Sequence, residues 1–298
     1  MSLIDRPSYG IALRLASGLL FAGMYISVKA VSEVVPLGEI VFFRSFFALI
    51  PLVVFLWFRS EFPQGLGTKR PLGHIMRSGF GTLALFGYFA TLAQLNLAET
   101  VLIFQISPVF LAIIAVVALG ERLTIWRIGG LTPGLMGVVV LVWPDLGVGA
   151  DQSRLLGYGL GIASALLTAI AMTMVRSLNQ TESPGAIAFY FALTSTLAGL
   201  LTLGWGWVWP SPETLALLIL AGLFGGFAHI AMTLAFKYAE ASRLAAFEYV
   251  ALLWPLLADL LIFRASLSSA FWIAAPIILI AGAVAAAERD RKKTSSAA

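Results

Sequence analysis

Residues 9–31 read YGIALRLASGLLFAGMYISVKAV, and within them only Arg14 and Lys29 carry charge. A run this long and apolar has the length of a bilayer-spanning helix, about 20 residues at 1.5 Å each. A barrel strand would alternate over about ten residues, and this run does not. Residues 156–176 read LGYGLGIASALLTAIAMTMVR, and sliding the chain by 147 positions lays the first run on this one. Leu13, Ala16, Ser17, Leu19, Leu20, Ala22 and Val28 then face Leu160, Ala163, Ser164, Leu166, Leu167, Ala169 and Val175. Lys29 faces Arg176, and Gly38, Ile40 and Phe42 face Gly185, Ile187 and Phe189, with no gap in the match. Further on, Ala98-Glu99 matches Ala239-Glu240 and Pro133 matches Pro276 at slightly shorter offsets.

The rest of the chain is built like these two runs. Its 298 residues are 60% hydrophobic and 11% charged, with mean hydropathy +0.94. Soluble domains are about 45–50% apolar and about 25% charged. A chain of 31.9 kDa without more polar residues does not clothe itself for water, which excludes a soluble enzyme and a disordered chain. With no cysteine, a disulfide scaffold, thiol chemistry and a thiolate metal site are excluded too. The net charge of +4 is scattered between apolar stretches and forms no basic stripe, so no nucleic-acid partner is expected.

Apolar runs between polar breaks give ten spans, at 9–31, 39–58, 74–95, 100–119, 126–143, 156–176, 185–205, 213–236, 243–263 and 269–287, as helices, since backbone groups in lipid must pair within the segment. The first run is too long for a signal h-region and is read as a retained span. With a cytoplasmic N-terminus, inner segments hold Arg6, Arg59, Lys69, Arg70, Arg77, Arg122, Arg127, Arg176, Lys237, Arg243, Arg289, Arg291, Lys292 and Lys293. Outer segments hold Lys29, Arg154 and Arg264. This bias puts both termini in the cytoplasm. Trp205, Trp207 and Trp209 fall at an outer boundary, where indoles anchor.

Five spans per half is an odd number, so the second half enters the membrane from the opposite side. The expected fold class is an all-α membrane protein, with ten transmembrane helices as two inverted five-helix repeats around a central cavity. The units are 1–147 and 148–298, the second ending in a short basic tail. Two such halves can exchange conformations, which is the mechanical basis of alternating access.

Several motifs resemble the EamA family of the drug/metabolite transporter superfamily. They are Lys29 at the end of span one, Phe43-Arg44 in span two, and Ser107-Pro108 running to Gly120-Glu121-Arg122-Leu123-Thr124 in span four. Phe247-Glu248-Tyr249 in span nine is also common there. The resemblance covers essentially the whole chain and implies ten helices, inverted repeats, a central substrate cavity and alternating access. One departure stands out: Phe263-Arg264 occupies the place where the second half would repeat Gly-Glu. Arg70-Pro71-Leu72-Gly73-His74 and Trp209-Pro210-Ser211-Pro212 look most like the branch that contains S-adenosylmethionine carriers. The resemblance also implies relatives that export amino acids or carry riboflavin-type precursors.

Charges kept inside spans are costly, about 2.5–3.5 kcal/mol each on insertion scales, and are functional candidates by default. Arg14, Arg44, Glu248 and Asp259 are such charges. Glu248 and Asp259 share one helix face about 16 Å apart. Glu248 is either a proton or cation site or half of a structural pair, and Asp259, near a helix end, snorkels or serves a gate. Arg44 is read as structural, because the family pattern places it beside span two rather than in the cavity. Gly222, Gly225, Gly226, His229 and Thr233 form one stripe on span eight, and Gly157, Gly161, Ser164 and Thr168 another on span six. His229 is a proton acceptor or a packing residue. Arg14, Tyr88, Gln105, Tyr249 and Trp254 are the candidate substrate contacts: rings to stack, an amide and a guanidinium to orient. Pro108 and Pro255 interrupt spans four and nine, where bends would help gates close.

Gly157-Tyr158-Gly159-Leu160-Gly161 has neither the preceding strand nor the lysine of a nucleotide loop. No nucleophile–base set appears, two separated histidines make no metal site, and no cofactor is expected. The expected function is secondary-active transport of a small organic metabolite, amino-acid-like or S-adenosylmethionine-like, across the bacterial inner membrane. A proton or a counter-substrate would couple it. The alternatives are a riboflavin-type or drug/metabolite exporter and, from another class, a non-transporting membrane receptor or assembly subunit. An intramembrane enzyme would need a convergent His/Asp/Ser set not seen here, and a channel would be told apart by single-channel currents.

Overall fold

A computed structural model describes residues 6–119, 125–146, 151–238, 244 and 252–281. These residues are helical, with no strand among them. The helices are α1 (Pro7–Val31), α2 (Leu37–Phe58), α3 (Pro71–Gln94), α4 (Leu97–Phe104), α5 (Ser107–Leu119), α6 (Ile125–Val142), α7 (Gln152–Leu178), α8 (Pro184–Leu200), α9 (Pro212–Tyr238) and α10 (Leu253–Leu261). Helix α11 (Ser269–Ala281) closes the described chain. Among the described residues, α4 and α5 both fall in the fourth apolar run and each of the other nine runs holds one helix. Four stretches among the described residues are long and apolar enough to cross a membrane on their own: Ser8–Val31, Leu37–Phe58, Gln152–Val175 and Pro212–Ala235. Large apolar side chains such as Leu83, Met136, Phe227 and Ile280 cover the outer surface. Such a surface belongs in lipid, and the protein is an integral membrane protein.

Helix starts are written locally. Asp151 precedes α7 and accepts from the Ser153 N–H at 2.9 Å and the Ser153 hydroxyl at 2.6 Å, which holds its carboxyl below the usual range. Ser183 accepts from the Ala186 N–H at 3.0 Å, and Pro184 then opens α8. In the fourth span, Gln105 and Ile106 form a turn after α4. Ser107-Pro108 then begins α5, so Pro108 sits in a first turn, where its missing N–H costs nothing. Pro51 and Pro133 lie inside α2 and α6.

Close packing follows the small-residue stripes. Helix α1 packs along α9, α3 along α7, and α2 along both α8 and α9. Ser17 of α1 donates to the Ala228 carbonyl of α9 at 3.0 Å, and Ser164 of α7 donates to the Ala84 carbonyl of α3 at 2.6 Å. The two serines are partners in the sequence repeat, and each bonds a helix of the other half. Gly38 and Gly185, another repeat pair, behave alike: a side chain on Gly38 would collide with Thr202 beyond the end of α8, and one on Gly185 with Leu56 near the end of α2. The span-eight stripe faces α2, where a Cβ on Gly226 would stand 2.9 Å from the Ala48 carbonyl oxygen. The span-six stripe faces α3.

One apolar core gathers α4, α5, α6 and α11 around Leu102, Ile106, Leu141, Phe271 and Ile278. A second joins α1, α2, α3 and α9 around Val28, Ile40, Phe89, Leu92 and Leu218. The helix break at Gln105 and the start of α10 come together beside the first core, to which Ile106 and Leu252 belong.

Candidate functional site

A cavity of about 190 Å³ opens between α1, α3, α4, α9 and α10. Arg14, Phe21 and Tyr25 line it from α1, Tyr88 from α3, Phe104 and Gln105 from the end of α4, and Leu252 and Pro255 from α10. Its volume is below the roughly 300–1,000 Å³ of ligand pockets in general, so it suits a small solute or a partly closed state. Tyr25 and Tyr88 stand 5.0 Å apart between ring centroids, and Phe104 meets Tyr88 edge-on at 4.9 Å. The wall is therefore aromatic, with a guanidinium, two phenols and one amide as its polar groups.

Of the residues nominated from the sequence, Arg14, Tyr88, Gln105 and Pro255 meet in this cavity. Trp254 lies in an adjoining apolar crevice with Leu19, Phe224 and Leu257. Pro108 stands at the helix break beside Gln105. Tyr249 and Glu248 lie outside the described residues, as do Phe247 and the Gly120–Thr124 signature. His229 meets the cavity residue Phe21 edge-on at 5.0 Å. Arg44 is 3% exposed and donates to the Met24 sulfur at 3.4 Å.

Asp259 does not snorkel. It is buried, and its two oxygens accept the Leu97 N–H at 3.1 Å and the Ala98 N–H at 2.6 Å, capping α4 from α10. Lys29 reaches from α1 to the carbonyls of Leu92 and Leu95 at 2.8 and 3.0 Å, at the other side of the same α3–α4 corner. Glu99 of α4 accepts from Arg154 at 2.9 Å, and Arg154 also donates to Asp145 at 3.1 Å and Tyr158 at 2.7 Å. One end of the bundle is thus tied by charges on α1, α4, α7 and α10.

At the opposite end of α3, His74 and Glu182 approach at 3.4 Å while the Lys69 N–H donates to Glu182 at 3.2 Å. Burial pushes the Glu182 carboxyl up, but hydrogen bonds from His74, Thr68 and the Lys69 amide outweigh it and hold it below its usual value. Tyr190 donates to the Leu66 carbonyl at 2.7 Å, and its ring packs on His74. These contacts dock the α2–α3 loop on the α7–α8 corner.

Sequence reasoning missed Tyr25, which has no charge to mark it, and the interior place of Arg77. It read Arg77 only as a cation of an inner segment, although its own third span begins at 74. The Arg77 guanidinium lies 4.2 Å above the Phe191 ring. Among the described residues no cluster of His, Asp and Glu could hold a metal.

A helical membrane protein with an aromatic cavity at a broken helix has a place for a small solute. Residues 8–143 match the model of the EamA-like transporter family. The pseudopaline exporter of Pseudomonas aeruginosa is 28% identical over 95% of this chain and 94% of its own length. The S-adenosylmethionine uptake transporter of Rickettsia prowazekii is 30% identical over 76% of this chain and 74% of its own. A solved crystal structure of 21% identity superposes with a TM-score of 0.67 over 94% of this chain and 97% of that one, a likeness of fold. The chain belongs to the EamA-like transporter family.

Proposed function

We propose that the protein is a secondary-active transporter that moves a small organic metabolite across the bacterial inner membrane by alternating access. Residues 1–147 and 148–298 would form two inverted five-helix repeats, with both termini in the cytoplasm. The observation that carries this reading is the reciprocal pairing of the halves: Ser17 bonds α9 while its repeat mate Ser164 bonds α3. Halves that interlock in this way around one cavity can trade conformations without remaking every contact.

In the proposed cycle Arg14, Tyr88 and Gln105 contact the solute, together with Tyr249 and Trp254. Glu248 or His229 carries the coupling proton, unless a counter-solute supplies the energy. Pro108 and Pro255 mark the hinges, and the Asp259 cap on α4 is one latch of the gate. An amino-acid-like or S-adenosylmethionine-like solute suits a cavity with one guanidinium and one amide. The aromatic wall favours, as a second reading, a flat-ringed solute of the riboflavin type.

Uptake into proteoliposomes tests the proposal. Purified protein loaded with a metabolite panel should give saturable flux, altered by a pH gradient or by solute on the opposite side. The Gln105→Ala and Tyr88→Ala variants should lose it by at least ten-fold while still reconstituting. Absence of saturable flux for every member of a broad panel would remove the transporter reading, and single-channel currents would replace it with a pore.

A further inference from the structure

An apolar crevice of about 420 Å³ lies between α1, α9 and α10. Leu19 and Ile26 line it from α1, Phe224 from α9, and Trp254, Leu257 and Leu261 from α10. Among its described lining residues none is charged, and Trp254 alone carries a polar side-chain atom. That atom, the indole Nε1, is buried, so the crevice presents hydrocarbon. Leu19, Leu257, Leu261 and Ile262 are also exposed on the outside of the bundle, so the crevice opens on the surface that faces lipid. Water finds no partners in an apolar recess, and an apolar molecule fills one.

The crevice also has a particular place in the packing. Ile26 and Phe224 pack against the second core, whereas Leu252 and Leu256, at the start of α10 and within it, pack with the first. The crevice therefore lies on a seam between the two cores. Ala22 lines both the crevice and the cavity, while Gly18 beside it lines the cavity and Gly23 the crevice. With nothing larger than a methyl at these three positions, the α1 wall between the two spaces is thin.

Its dimensions select the occupant. Residues 19–26 of α1 and 254–261 of α10 each run about 10 Å, at about 1.5 Å per residue. A volume of about 420 Å³ over that length is roughly 7 Å across. A helix with its side chains is about 10–12 Å across, so a span from a second copy does not enter. One hydrocarbon chain does, touching carbon on opposite walls at about 3.5–4.0 Å to each. We propose that the crevice seats one acyl chain of a membrane phospholipid, which backs the α1–α10 side of the cavity from the lipid. Acyl chains and leucines are equally apolar, so the seated chain is held by contact on several sides rather than by exclusion from water. The headgroup takes no part in recognition, because the described lining carries no charge.

The test is native mass spectrometry of the full chain, exchanged into glyco-diosgenin. The probes are oleoyl lysophosphatidylcholine, oleoyl lysophosphatidylglycerol and glycerophosphocholine, which is the first headgroup without its chain. Each single-chain lipid should add one copy that saturates before a second appears, with affinities equal within about three-fold, and glycerophosphocholine should not bind. Leu257→Trp and Leu19→Trp fill the crevice from α10 and α1, and each should weaken the first copy at least ten-fold. Leu83→Trp, on the outer surface at α3, should leave it unchanged.

Copies that add without a saturating first one mark ordinary surface lipid and overturn the proposal. So does a larger preference for either headgroup, binding of glycerophosphocholine, or a wild-type first copy in either folded tryptophan variant. If one of the two variants fails to fold, the other decides. A dimer that excludes the lipid gives the crevice to a second copy, and overturns the proposal as well. Flux is not read in this measurement, so a failure here leaves the transport reading standing, and absence of flux in proteoliposomes leaves the acyl-chain site standing.

Discussion

Asp259 and Glu182 are carboxylates that the bundle uses in different ways. Asp259 accepts two N–H groups from the first turn of α4 inside the bundle, so Asp259→Ala leaves buried donors without a partner. A loss of about 2 kcal/mol is expected, with a smaller loss for Asp259→Asn, which keeps one acceptor oxygen. Thermal unfolding in detergent checks this, and an unchanged melting temperature for the alanine variant would contradict the cap. The Glu182 carboxyl is held below its ordinary value of 4.5 in the folded chain. Its contribution to stability is therefore fully present above that value and is lost as pH falls through it toward the folded pKa. Glu182→Gln should flatten the acid limb of a stability–pH curve below about pH 4.5 and leave the neutral limb parallel to wild type. At this scale the sequence was partly legible. Charges inside spans announced Arg14, Arg44 and Asp259, because lipid makes them exceptional. It did not reveal that Asp259 caps a helix 161 positions away at Ala98, since that depends on how α10 meets α4.

The helices themselves were the most legible level, for hydropathy sets where a chain can cross lipid. Two features escaped: α4 begins three residues before the span read from hydropathy, and its break falls at Gln105-Ile106 rather than as a bend at Pro108. The glycine stripes were visible as spacing, but their partners were not. Gly226 and Gly159 make a useful contrast. A Cβ on Gly226 meets the Ala48 carbonyl oxygen at 2.9 Å, whereas one on Gly159 meets nothing within 4 Å. Gly226→Ala should cost about 1–3 kcal/mol through overpacking of α9 on α2. Gly159→Ala should stabilise α7 by up to about 1 kcal/mol through helix propensity. Thermal unfolding of the two variants side by side checks this; equal shifts would mean that α9 does not approach α2 as closely as described.

Across the whole molecule, the proposed two-fold relation between the halves draws on the sequence offset and on the helix pairing together. The 147-residue offset carries Ser17 onto Ser164 and Gly38 onto Gly185, and each pair makes corresponding contacts with the opposite half. Composition told that lipid surrounds the chain, but not which side chains share the cavity. That followed only from seeing Gln105, Tyr88 and Arg14 meet at a helix break. Because the chain contains no cysteine, a single introduced thiol reports one position without background. The decisive measurement places Gln105→Cys in proteoliposomes of uniform orientation and applies a membrane-impermeant thiol reagent to either side, with Gly159→Cys on the lipid face as control. Alternating access predicts that the Gln105→Cys thiol is labelled from both sides without ion conductance, and that the control is labelled from neither. Labelling from one side only, or from both sides together with a steady current, would contradict it.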